Sequence, residues 1–144
     1  MMQKMPQSLA ICLAVTDVLF LSYWSLSLLH IIHVISLPPE IMYSDFNQPR
    51  VVAWNWSFFP LDVAFSCSGL AAVAASRRGN PIWKPFALIS LTLTIAAGWM
   101  AIGYWILLSE YNPSWFIPNL ILVLWPLCFL SKIIKINSQP LTNY

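Results

Sequence analysis

Hydrophobic positions in this chain fall into four long runs, at about 8–35, 58–76, 83–108 and 114–134. The runs are continuous and do not alternate polar with apolar, which argues against a β-barrel. Each is long enough to cross a hydrocarbon core of roughly 30 Å as a helix rising 1.5 Å per residue. Lipid offers no partner to an open sheet edge, so helices are the expected form. The first run exceeds the need and should tilt or protrude. The expectation is one domain over 1–144, an all-α integral membrane bundle of four transmembrane helices.

The breaks carry their own signals. Pro38-Pro39 should stop the first helix, and Gly79-Asn80-Pro81 should form the turn between the second and third. Pro113 sits where the fourth begins, a tolerated position at a helix start. Pro118 and Pro126 fall inside that helix and should kink it. The connection over 38–56 is the longest and is read as an outer loop. Its Ile41, Met42, Tyr43 and Phe46 suggest a segment lying on the membrane, ahead of a lid over the bundle.

Composition agrees with the runs. Hydrophobic residues make up 59% of the 144 and charged residues 8%, too little polar surface to enclose a soluble core. The net charge of +2, with no basic stripe, gives no sign of nucleic-acid binding. Charge placement sets an orientation. Lys4, Arg77, Arg78, Lys84, Lys132 and Lys135 lie on one side of a four-helix topology, and Arg50 on the other. The positive-inside rule then predicts an N-in/C-in protein of the cell membrane. Glu40, Asp45 and Glu110 fall in the outer loops. Trp54, Trp56, Tyr111 and Trp115 would form an outer aromatic belt, with Trp83 at the inner face. The first run is read as a retained helix: Asp17 interrupts it, and no small-residue cleavage site follows.

Two acids lie inside the runs. Asp17 is deep, where a charge costs roughly 2.5–3.5 kcal/mol on insertion scales. No Lys or Arg lies within a run to pair with it. It must be protonated, bonded to neutral groups, or in contact with water or a cation. Thr16, Tyr23, Ser27 and His30 share one helical face, and Asp17 and Trp24 border it. That stripe is either a polar pocket or a cluster that fixes helix packing. Asp62 is shallower, in the first turns of the second helix. There it either stabilises the positive helix end, with Asn55 or Ser57 as cap, or meets His30 or His33 at an outer mouth. Trp54 and Asn119 could join the same cluster. Two histidines and an acid are a weak metal signal, so no metal and no cofactor are expected. Ala64, Ser68, Ala72 and Ser76 form a small-residue stripe suited to close helix packing. Gly98, Trp99 and Gly103 also read as packing positions. Cys12, Cys67 and Cys128 lie in apolar runs without a pairing or zinc pattern and read as packing residues.

With Asp17, Tyr23-Trp24, "WNWSFFPLD" (Trp54–Asp62) and "WFIPN" (Trp115–Asn119), the chain resembles the YvaD-like family of small Bacillus-type membrane proteins over nearly its whole length. The family has no assigned activity. The resemblance therefore implies a four-helix protein of a Gram-positive cytoplasmic membrane, and it transfers no catalytic residue.

No phosphate-binding loop, zinc-protease or serine-hydrolase motif occurs. Three functions are expected, in this order. The first is a bundle in the lipid bilayer that binds a lipophilic small molecule or a partner, either a membrane protein or a second copy in a homo-oligomer. The second is a small proton- or cation-coupled transporter using Asp17. The third is a membrane enzyme with Asp62 and a histidine as acid and base.

Overall fold

The computed structural model describes residues 4–38 and 45–137. It contains α1 (Gln7–Ile31), α2 (Pro49–Ser57), α3 (Phe59–Arg77), α4 (Trp83–Leu107) and α5 (Pro113–Asn137). Four segments are long and apolar enough to span a membrane: α1, α2 with α3, α4, and α5. The fold is an all-helical bundle of four candidate spans.

Three helices end in the same way. His33, Gly79 and Ser109 have φ of 60°, 68° and 57°. Each donates its N–H to the carbonyl three residues back: His33 to His30, Gly79 to Ser76, Ser109 to Ile106. The next residue donates five back: Val34 to Leu29, Asn80 to Ala75, Glu110 to Trp105. This paired capping satisfies carbonyls that the helix end would leave bare. It also explains why α1 ends at Ile31 rather than Ile35: the left-handed turn at His33 comes before Pro38. At the start of α5, Asn112 Oδ1 accepts from the Ser114 N–H at 3.0 Å, with Pro113 as the first helical residue.

The segment read as an outer loop is partly helical. Pro49 opens the nine-residue α2, and Phe58, itself in a right-handed helical conformation, joins it to α3. Glu40, Ile41, Met42 and Tyr43 lie outside the described residues.

Packing neighbours follow chain order: α3 lies against both α1 and α4, and α4 against α3 and α5. At the end carrying Arg77 and Lys84, a cluster including Leu9, Leu13, Val73, Trp83, Leu91 and Ile133 closes the bundle. Toward α2, a second cluster forms around Trp24, Phe58, Phe65, Ala97 and Ala101. Trp83, expected at an interface, is buried in the first cluster. Gly98 allows α4 and α5 to touch, since a Cβ there would come within 2.7 Å of the Asn119 carbonyl oxygen. Gly103 has nothing within 4 Å of such a Cβ, and Trp99 is exposed. Of the small-residue stripe expected on this segment, Ala72 is buried but Ala64 is exposed. The face that packs is the adjoining one, with Asp62, Ser66 and Gly69. Phe65, Ala72 and Val73, on the same side of α3, are buried with them.

Candidate functional site

Toward the α2 end, α1 and α5 stand apart and leave a groove of about 540 Å³ above α3 and α4. That is within the size range of small-molecule sites. From α1 the walls are Val15, Thr16, Leu19, Phe20, Tyr23 and Trp24; from α2 and the start of α3, Trp54, Asn55, Phe58 and Asp62. Ala97, Ala101 and Trp105 of α4 form its floor. Trp115, Pro118, Asn119, Leu122 and Trp125 of α5 face them. Ala97 and Ala101 are small, which leaves space at that part of the floor.

The groove has a short polar seam. Trp24 Nε1 donates to Asp62 Oδ2 at 2.9 Å, and Tyr23 O–H donates to Asn55 Oδ1 at 3.2 Å. Asn119 Nδ2 donates to the Trp115 carbonyl at 2.7 Å. Asp62 Oδ1 and Trp125 Nε1 are buried without a partner. Asp62 lies in the first turn of α3, as expected, but no side chain caps that helix, so neither Asn55 nor Ser57 serves as its cap, and Asp62 is only 4% exposed.

The structure brings Tyr23, Trp24, Trp54, Asn55, Asp62 and Asn119 together around one groove. Asp17, His30 and His33 are elsewhere. The expected contact between Asp62 and a histidine does not form, because the Trp24 indole takes that place. His30 Nδ1 instead accepts from the Leu37 N–H at 3.2 Å, and His33 occupies the exposed turn after α1. Among the described residues no group of His, Cys, Asp or Glu could hold a metal ion. Trp54 and Trp56, read as a belt, pack inward. Trp54 stacks on Tyr104 at 4.0 Å between ring centroids, and Trp56 lies against Trp24 at 5.1 Å.

Asp17 forms a separate polar centre. Leu9, Leu13, Asp17 and Trp24 are the buried face of α1, so the acid lies in the packing stripe itself rather than beside it. It is 1% exposed, and neither carboxylate oxygen has a hydrogen-bond partner among the described residues. Gly69 makes room for it: a Cβ there would overlap the carboxylate and lie 2.8 Å from Ser90 Oγ. Ser66 and Ser90 hydroxyls are also buried without partners. Ser22, Ser25, Ser68 and Thr92, in contrast, donate to the carbonyl four residues back in their own helices. The same internal bond also serves a buried hydroxyl, that of Thr94, which donates to the Ser90 carbonyl at 2.8 Å.

Phe20, Trp105, Leu122 and Trp125 were not singled out from sequence, and Pro118 was read only as a kink. A signal was present on α5, where Trp115, Pro118, Asn119, Leu122 and Trp125 fall at i, i+3, i+4, i+7 and i+10, one helical face. Ser66 and Ser90 gave no such signal, since small hydroxyl residues are common in packed spans.

These features define a helical bundle of four candidate membrane spans with an aromatic groove and a buried acid. The chain belongs to a family of unknown function (DUF5360), which it matches over residues 9–140. It is similar to the uncharacterized protein YvaD of Bacillus subtilis (strain 168), at 36% identity over 121 residues, covering 84% of this chain and 87% of that protein. No solved structure matches the chain.

Proposed function

We propose that this is a multi-pass protein of the cell membrane that binds a lipophilic small molecule in the groove between α1 and α5. The observation that carries this reading is the groove itself: about 540 Å³, walled by aromatic and aliphatic side chains, with a few polar groups gathered at Asp62. Val15, Leu19 and Ile121 at its edge are 54%, 63% and 54% exposed. An apolar ligand can therefore enter from the bilayer without crossing a polar surface. The same face could receive the apolar flank of a membrane partner or of a second copy. The charge bias supports an N-in/C-in orientation, with the groove in the outer half. Reporter fusions within 45–48 and within 79–82 test that orientation, and a cytoplasmic signal from the first would reverse it.

The binding test is Ala101→Trp, which fills the groove floor. Ligand binding is followed by tryptophan quenching with a brominated alkyl probe in nanodiscs. Wild type should quench in a saturable way, and Ala101→Trp should lose that component while remaining monodisperse. An unchanged isotherm in the variant would end this reading.

A second reading, a small proton- or cation-coupled transporter using Asp17, is supported by the unpartnered carboxylate, which meets Ser90 in the space opposite Gly69. Substrate flux in vesicles that is unaffected by Asp17→Asn would remove it.

A further inference from the structure

The groove is unequal in what it offers a ligand, and the inequality points to a charge sign. No Lys, Arg or His lines it. Its one ionisable acid, Asp62, uses Oδ2 for the Trp24 indole and has Oδ1 without a partner. The Tyr23 hydroxyl proton is directed to Asn55, and the Asn119 amide N–H to its own helix. Two prolines add acceptors. Pro118 and Pro126 have no N–H, so the carbonyls of Ser114 and Leu122 lose their usual donors four residues on. Both residues are in the groove wall. Trp125 Nε1 is an unpartnered donor, but it is neutral and does not set the sign. Around this surplus of acceptors stand Trp24, Trp54, Trp105, Trp115 and Trp125, five of the chain's eight tryptophans. Indole faces attract cations, most strongly where water is excluded.

We propose that the groove's ligand is a lipophilic tertiary or quaternary ammonium, with its head among the indoles beside Asp62 and its apolar body between α1 and α5. A bulky ammonium needs no hydrogen bond, so it fits an acid whose free oxygen is covered. It also supplies Asp62 with the counter-charge that no residue of the described chain provides. An uncompensated carboxylate is costly at membrane depth, so pairing favours the bound state. The proposal rests on the groove being a ligand site. Its chemistry is shared by a phospholipid ammonium headgroup and by a free amphiphilic amine.

The test uses protein in nanodiscs of an uncharged glycolipid, so that the bilayer itself does not concentrate cations, and two probes with the same alkyl chain, dodecyltrimethylammonium and neutral dodecyl dimethylphosphine oxide. Tryptophan fluorescence reports binding. Wild type should bind the cation roughly tenfold or more tightly than the neutral probe, the scale of one desolvated charge contact. Asp62→Asn should abolish that preference by lowering the cation's affinity to the neutral probe's level, since an amide oxygen can still accept from Trp24 but carries no charge. Equal binding of the two probes by wild type would overturn the ammonium proposal and leave the groove reading intact. Saturable binding of neither would overturn both. The wild-type comparison stands even if the variant fails to fold. Adding phosphatidylcholine separates the sources: competition with the cationic probe assigns the site to a lipid headgroup, and no competition assigns it to a free amphiphile.

Discussion

Replacing Gly69 by alanine tests how the buried acid is accommodated. In a helix, Gly→Ala ordinarily stabilises by roughly 0.5–1 kcal/mol. At Gly69 the new methyl would overlap the Asp17 carboxylate and lie 2.8 Å from both Asp17 Cγ and Ser90 Oγ. Real Cβ atoms do not approach so closely, so α1 must move away from α3 or the acid must leave its place. Overpacking of this kind costs about 1–3 kcal/mol, which outweighs the helical gain. Gly103→Ala is the internal control, because nothing lies within 4 Å of its Cβ. The assay is reversible unfolding in mixed micelles, followed by helical circular dichroism. Gly103→Ala should stabilise by about 0.5–1 kcal/mol, and Gly69→Ala should destabilise by about 1–2 kcal/mol net. Asp17→Ala should relieve the Gly69→Ala defect, giving a coupling of about 1 kcal/mol or more in the double-mutant cycle. If Gly69→Ala behaves like Gly103→Ala, or the coupling is zero, Asp17 does not occupy the space opposite Gly69.

Other expectations can be checked in the same assay. Trp24→Phe removes the donor to Asp62 Oδ2 and leaves that carboxylate without a hydrogen bond; a loss of about 1–3 kcal/mol is expected, and adding Asp62→Leu should recover part of it. Ser109 has φ 57° at the end of α4, so Ser109→Gly should raise stability by about 1 kcal/mol by removing left-handed strain; no gain would mean that the turn is not formed. Gly98→Ala should loosen α4 from α5, because its Cβ would meet backbone at 2.7 Å, and a disulfide-trapping pair across that contact should then cross-link more slowly. Ser25→Ala should change stability by less than about 0.5 kcal/mol, since that hydroxyl only bonds its own helix at the bundle surface.

The two candidate acids show how far reasoning from single elements reaches. Both were identifiable because a carboxyl in an apolar run is costly in any fold. Their surroundings were not. Asp62 does lie in the first turn of α3, with Pro60 at its start, but it is buried and bonded to the Trp24 indole, a contact between helices that the local signals did not carry. Histidine was the expected partner from its position near the end of α1. The αL turn at His33 and the inward packing of Trp24 gave that place to an indole instead.

Taken by itself, the sequence determined the helical class and the number of candidate spans. These follow from local quantities: the length of apolar runs, the missing N–H of proline and the need to satisfy every backbone group in lipid. Tertiary structure alone decided which faces meet. In lipid-facing helices apolar residues surround the whole circumference, so hydrophobicity does not distinguish a packed face from an exposed one. Val15 and Leu13 are equally apolar, yet the first is 54% exposed and the second fully buried. What separates them is close approach between helices, at Gly69 and Gly98, and the space left where α1 and α5 do not close on each other. Those are relations between segments distant in the chain, and no periodicity within one segment encodes them.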